Sequence, residues 1–358
     1  MGLHPALAGA SWLAPLAIAF VSASAATLVL AVASGGGGFR FLGNGSNDPG
    51  PRIPALLGGL AIIVAFALST TSVGLLGDAR YLLAIMSLMF ALGLWTTIGH
   101  TRDLIEISAQ VVIAALLAKV AGVELRDAGD LIGIGAIHLG ILALPVTVLA
   151  MVALAQSLVM MDDLEGFRAA FAFTALAWLT AAGAASGLDH PSRVALLLEA
   201  ALAGYLMTTV LLRTWSRPRV FLGNAGGLMI GFALGWLAID LTQGPGRTVP
   251  PIAALFFVLL PLFDAGSVVL RKFERRESPL ERTRSGLHHY LFARGFSSAQ
   301  ALVMLVAASA LLGAVGFFGW YLGVPEPALF WVAFFGFLLY HAWIKEAWRK
   351  LRGVYFVI

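Results

Sequence analysis

Cysteine is missing from all 358 residues. No disulfide can staple this fold, and no thiolate can hold an iron–sulfur cluster or act as a nucleophile. Charge is nearly as scarce. Asp, Glu, Lys and Arg make up 12% of the chain, about half of the roughly 25% typical of a soluble domain. Such a chain has too little polar surface to coat itself in water. The formal net charge of +4 therefore does not point to nucleic acid, because basic residues in a membrane protein mark cytoplasmic loops. Also missing are heptads, a low-complexity linker, an internal repeat and any polar block large enough to fold separately. The chain reads as one membrane-embedded domain spanning 1–358. Its first apolar stretch lacks the basic residues that open a signal peptide and reads as a retained first span.

What is present is apolar. Hydrophobic residues reach 59%, and the mean hydropathy is +0.90. A spanning helix needs roughly 20 predominantly apolar residues. Candidates lie at 11–34, 55–75, 81–98, 104–122, 139–160, 168–187, 194–213, 223–243, 250–270, 297–321 and 326–346, with the boundaries least defined around 122–139. The expected fold is all-α, a polytopic integral membrane protein of about eleven transmembrane helices.

The cations orient it. One set of loops holds Arg40, Arg52, Arg102, Arg168, Arg213, Arg217, Arg219, Arg271, Lys272, Arg275, Arg276, Arg282, Arg284, Arg294, Lys345, Arg349, Lys350 and Arg352. The opposite set has only Arg80, Lys119, Arg126, Arg193 and Arg247. By the positive-inside rule the amino terminus is outside and the carboxy terminus is cytoplasmic.

Four segments on the cytoplasmic side carry candidate chemistry. The loop 271–296 places seven cations beside His288 and His289. Arg offers a fixed fork of donors that suits a diphosphate or a lipid phosphate; the cations equally serve as a topology signal touching lipid headgroups. Asp162, Asp163 and Glu165 gather at the end of the fifth span. If the helix continues, Asp162 and Glu165 share a face and offer two oxygen ligands of the kind Mg²⁺ takes; a solvated helix end is the plainer alternative. Gly223, Asn224, Gly226 and Gly227 open the eighth span, where backbone N–H groups and the helix dipole favour an anion, although such glycines also serve helix packing. Asp264 lies inside the ninth span. An intramembrane carboxylate is a functional candidate by default, with Arg271 or Lys272 as the structural partner otherwise expected. Glu199, Asp240 and His341 read as structural.

In this order the segments resemble the polyprenyl-phosphate N-acetylhexosamine-1-phosphate transferases, over about Arg52 to Gln300. Arg52 followed by Gly58-Gly59-Leu60-Ala61-Ile62 looks like the family's PRxGGLAI motif with residues inserted. Phe221-Leu222-Gly223-Asn224-Ala225-Gly226 resembles its FMGDAGS motif. Pro261-Leu262-Phe263-Asp264 with Arg271 resembles PLFDTLxVIxRR. Arg284, His288, His289 and Arg294-Gly295-Phe296 resemble DRxHxHHxLLxxGF.

The resemblance implies transfer of a sugar-1-phosphate of N-acetylhexosamine type from a UDP-sugar to a polyprenyl phosphate, in cell-envelope glycan synthesis. It implies Mg²⁺, with Mn²⁺ as a substitute, and a place in the bacterial inner membrane. The partners it implies are the lipid, the UDP-N-acetylhexosamine and the membrane, with a homodimer as an open expectation and no nucleic acid. Asp162, Asp264 and His288 become the expected catalytic residues. Arg52, Asp163, Arg284, His289 and Gly223 are the expected substrate-binding residues, and Asn224, Asp162 and Glu165 the expected metal ligands.

Four departures stand out. The family's first acidic pair falls on Thr96-Thr97, and its NAxNMxDGxDG motif reads Gln156 to Gly166 with both Asn positions lost. The Asp of its glycine motif is Asn224, and in the histidine motif the Asp is Thr283 and the first His is Gly286. These exchanges weaken the expected metal site. They leave a second reading open, a weak or inactive homologue that binds polyprenyl phosphate or a partner enzyme. A transporter is disfavoured by the lack of repeats and of polar residues at the bilayer midplane.

Overall fold

The computed structural model describes residues 12–35, 57–99, 103–161, 166–214, 220–243, 246, 248–278 and 285–355. Among them the structure is helical, and the only strand-like pairing is an isolated bridge between Asp127 and His138. The helices, in order, are α1 (Leu13–Gly35), α2 (Gly58–Ser72), α3 (Leu76–Gly99), α4 (Asp103–Ala121), α5 (Ala143–Met160), α6 (Phe167–Ala185), α7 (Asp189–Thr214), α8 (Gly223–Gln243), α9 (Pro251–Phe257), α10 (Leu259–Glu274), α11 (Leu287–Ala293), α12 (Ser298–Tyr321) and α13 (Glu326–Tyr355).

Nine of the described helices are long and apolar enough to cross a membrane, and ten spans result if α9 and α10 are one bent span. The protein is a multi-pass membrane protein. Large apolar side chains stand on its outer surface, among them Leu149 and Leu311; a soluble protein does not tolerate so much exposed hydrophobic area, whereas lipid does. The second expected span, 55–75, contains α2, a shorter apolar helix of fifteen residues.

The buried axis is α8, whose faces are covered by α3 and α5. Small residues make this approach possible. A side chain at Gly93 would strike Ala225, and one at Gly231 would strike Ala155. In lipid, where hydrophobicity no longer drives helices together, such close backbone contact supplies much of the association energy.

The expected continuous ninth span is instead two helices meeting at 81°. Pro261 accounts for the break. It has no N–H for the carbonyl four residues back, that of Phe257, and its ring crowds that oxygen; α9 ends at Phe257. The segment after α4 is irregular up to a single 3₁₀ turn, Gly140–Leu142, that leads into α5. It is tied at its far side by Gln243, whose Oε1 accepts from the Arg126 and Asp127 amides at 3.0 Å, and by Glu326, which accepts from the Asp130 amide at 2.8 Å.

Candidate functional site

The ends of six helices meet at one end of the bundle. Arg168, in the first turn of α6, is 5% exposed. Its Nε donates to the Met161 carbonyl at 2.5 Å, Nη2 to Val159 O at 3.0 Å and Nη1 to Gly223 O at 2.6 Å. One guanidinium thus joins the carbonyls that end α5 to the residue that opens α8, where Gly223 takes a φ of +62° that a side chain would strain. By sequence alone Arg168 reads as a loop cation. Its position two residues after Gly166, at the start of an apolar helix, was the available sign of burial.

The glycine segments also meet. The Gly58 amide donates to Phe221 O at 3.2 Å, and Gly59 lies against Gly226. The segment resembling the first motif therefore packs on the one resembling the second.

Around Asn224 lies a polar group that matches none of the sequence motifs. Glu106, in the first turn of α4, is 6% exposed. Its carboxylate accepts from Asn224 Nδ2 at 3.3 and 3.4 Å, and from Gln110 Nε2 at 3.3 Å. Gln156 Nε2 in turn donates to Gln110 Oε1 at 3.1 Å. The amides run as a relay of donors toward one carboxylate. The sign in the sequence was an acid and a glutamine four apart in an otherwise apolar span. Thr96 and Thr97, at the expected acidic pair, turn their hydroxyls back to Gly93 O at 3.2 and 2.6 Å, which caps their polarity within α3.

Asp264, on α10, is 6% exposed. Its partner is not Arg271 or Lys272 by hydrogen bond. Both carboxylate oxygens accept from the Leu287 amide, at 3.0 and 3.1 Å, and Oδ1 accepts from the Tyr340 hydroxyl at 2.9 Å. Leu287 opens α11, so Asp264 satisfies a backbone donor that the short helix leaves orphaned. Arg271 Nη2 holds the preceding turn through Ser285 O at 2.9 Å. Together they fix the helix that carries His288 and His289, whose ring centroids are 4.0 Å apart. His288 is buried, with its ring 6.4 Å from that of Phe167. Gly286 is shaped by this contact, since a side chain there would come within 2.9 Å of Asp264 Oδ2 and 3.1 Å of His288 Cε1. His341 hydrogen-bonds Ser267 at 3.0 Å, and Glu199 accepts from Thr180 at 3.1 Å, the packing roles expected of them.

The fold thus brings two groups to either side of the first turn of α6: Asp264, His288 and His289 near Phe167, and Asn224 and Gly223 with Glu106 near Arg168. Among the described residues no hydrogen bond joins Asn224 to Asp264. Arg52, Asp162, Asp163, Glu165 and Arg284 lie outside the described residues; Met161 and Gly166, which flank three of them, border the Arg168 clamp. Among the described residues no group of three His, Cys, Asp or Glu could hold a metal. Asn224 Oδ1 is nonetheless buried without a hydrogen-bond partner. With the Glu106 carboxylate it offers the hard oxygen donors that Mg²⁺ takes.

Residues 79–242 match the family described as glycosyl transferase family 4. Over 269 residues, 73% of this chain and 73% of the relative, the sequence is 29% identical to the undecaprenyl-phosphate alpha-N-acetylglucosaminyl 1-phosphate transferase of Yersinia pestis. It is 28% identical to the protein of the same name from Salmonella typhi over 84% of this chain and 82% of that one. The Haemophilus influenzae protein so named is 27% identical over 74% of this chain and 77% of its own length.

Proposed function

We propose that the chain is a member of glycosyl transferase family 4, whose model matches residues 79–242, and that it transfers a sugar-1-phosphate, N-acetylglucosamine-1-phosphate in the first instance, from its UDP-linked donor to a polyprenyl phosphate. An oxygen of the lipid phosphate attacks the phosphorus that carries the sugar. The bond from that phosphorus to UMP breaks, UMP leaves, and the lipid diphosphate sugar remains. Phosphoryl transfer of this kind asks for positioning and charge neutralisation more than covalent participation by the protein.

The observation that carries the reading is convergence. Segments resembling the family's motifs begin at Gly58, Gly223, Asp264 and His288, far apart in sequence. They meet at one end of the bundle through the Gly58–Phe221 hydrogen bond, the Arg168 clamp on Gly223, the Asp264 bonds to α11 and the Phe167–His288 ring contact. In this reading His288 and His289 face the donor diphosphate, with Arg284 and Arg52 as further anion-binding cations. Asp163 contacts the donor. Asn224, Asp162 and Glu165 hold Mg²⁺, which when bound neutralises charge on the diphosphate. Asp264 serves by holding α11 in place. The protein then lies in the bacterial inner membrane in eleven crossings, with the site on the cytoplasmic side and the amino terminus outside.

The test is UMP release by the purified protein with UDP-N-acetylhexosamines, undecaprenyl phosphate and Mg²⁺ or Mn²⁺. Release that needs the lipid and disappears in Asp162→Ala supports the reading. No turnover with any donor, from a protein that still binds the lipid, overturns it in favour of a non-catalytic homologue.

A further inference from the structure

Glu106 matches none of the motif positions above, yet it stands in the site. Three features of its surroundings need a common explanation. Its carboxylate is buried at 6% exposure, and among the described residues its polar partners are two neutral amides, with no cation in ion-pair reach. Removing a carboxylate from water is costly unless a counter-charge compensates. The amide relay from Gln156 through Gln110 points its donors at Glu106, whose two oxygens both act as acceptors. The partner amide is itself incomplete: Asn224 donates through Nδ2 to Glu106 while its buried Oδ1 has no donor.

One cation answers all three. We propose that Glu106 is a further charged ligand of the divalent cation that Asn224 Oδ1 holds, at the meeting of α4 and α8. The inference rests on the transferase reading for what the ion does, but not for its binding. Oε1 is engaged by the Gln110 amide, whereas Oε2 has a single long contact at 3.4 Å, so a lone pair remains for a metal. The hydrogen bond to Glu106 also fixes which way the Asn224 amide is turned, presenting its oxygen rather than its nitrogen to the ion. In the first turn of α4 a plain helix-capping role would direct the carboxylate to backbone amides. It reaches side chains on α4 and α8 instead.

The experiment is Mn²⁺ binding to the purified full chain in detergent, without nucleotide or lipid, followed by the loss of the free-ion paramagnetic resonance signal. The wild type is expected to take up one Mn²⁺. Glu106→Gln, which keeps shape and removes charge, is expected to weaken binding by at least tenfold, and Asn224→Asp to tighten it by about tenfold. Unchanged Mn²⁺ affinity in monodisperse Glu106→Gln overturns the proposal, as does an Asn224→Asp variant that binds no tighter. The two readings fail separately. Mn²⁺ binding that needs Glu106 in a protein that releases no UMP sinks the transferase and keeps the site. UMP release by Glu106→Gln at wild-type metal requirement does the reverse.

Discussion

At Asp264 two substitutions separate two roles. A carboxylate that acts on substrate or metal needs its charge, and Asn removes it as thoroughly as Ala. A carboxylate that holds α11 needs chiefly an acceptor at Oδ1, where the Leu287 amide and the Tyr340 hydroxyl converge at 3.0 and 2.9 Å, and Asn keeps that oxygen. Asp264→Asn is therefore expected to retain activity within about tenfold of wild type, while Asp264→Ala loses about a hundredfold or more; each tenfold step corresponds to about 1.4 kcal/mol. Equal losses in UMP release for the two variants would give Asp264 a direct part in the reaction. Tyr340→Phe removes one neutral donor, an effect on the order of 1–2 kcal/mol, and should lower the melting temperature slightly and kcat more than KM. Arg168 is less forgiving. Its three bonds fan out over three carbonyls from two helices, a geometry that a single ammonium cannot reproduce. Arg168→Lys should destabilise the protein nearly as much as Arg168→Ala, by about 3 kcal/mol, measured as thermal unfolding in detergent; full stability of the Lys variant would show that the fork is dispensable.

At the scale of helices, sequence and structure part where tertiary contact decides. The apolar runs announce α1, α3 to α8, α12 and α13, because in lipid every backbone group must be satisfied within the helix and a long apolar stretch has no other option. The bend at Val258 was present in the sequence as Pro261, but an apolar window averages over a single proline. Glu106 escaped notice for a related reason. It matches no motif, and only the packing of α4 near α8 sets its carboxylate beside Asn224. Gly286 reads as a lost histidine in the sequence. In space it is the residue that leaves room for Asp264 and His288 together. The packing of α8 gives a direct test at this scale. Gly231→Leu would drive a side chain into the backbone of α5 at Ala155, and overpacking a tight helix contact costs about 1–3 kcal/mol or more. The variant should melt well below wild type, while Gly77→Leu, where a Cβ meets nothing within 4 Å, should not; similar melting of both would mean that α8 does not need its close approach to α5.

For the molecule as a whole, the scarcity of charge fixes the solvent, and the placing of what charge remains proposes a direction. Eighteen of the 23 Lys and Arg fall on one set of loops, and the residues at the candidate site lie at the helix ends those loops join. If those loops are cytoplasmic, the site faces the compartment that holds soluble nucleotide donors, and the far end, where Gln243 and Glu326 tie down the segment after α4, faces outward. The absence of cysteine makes this measurable, because any thiol introduced is the only one in the chain. Ala136 and Glu277 are both exposed and sit at opposite ends of the bundle in this topology. In intact cells stripped of the outer membrane, a membrane-impermeant maleimide should label Ala136→Cys and spare Glu277→Cys. Detergent permeabilisation should then expose both to the reagent. The reverse pattern before permeabilisation would turn the protein over in the bilayer and put the candidate site on the side away from its proposed donor. Labelling of both in intact cells would place both ends on one side and break the eleven-crossing count, since the path from Ala136 to Glu277 would then cross an even number of times.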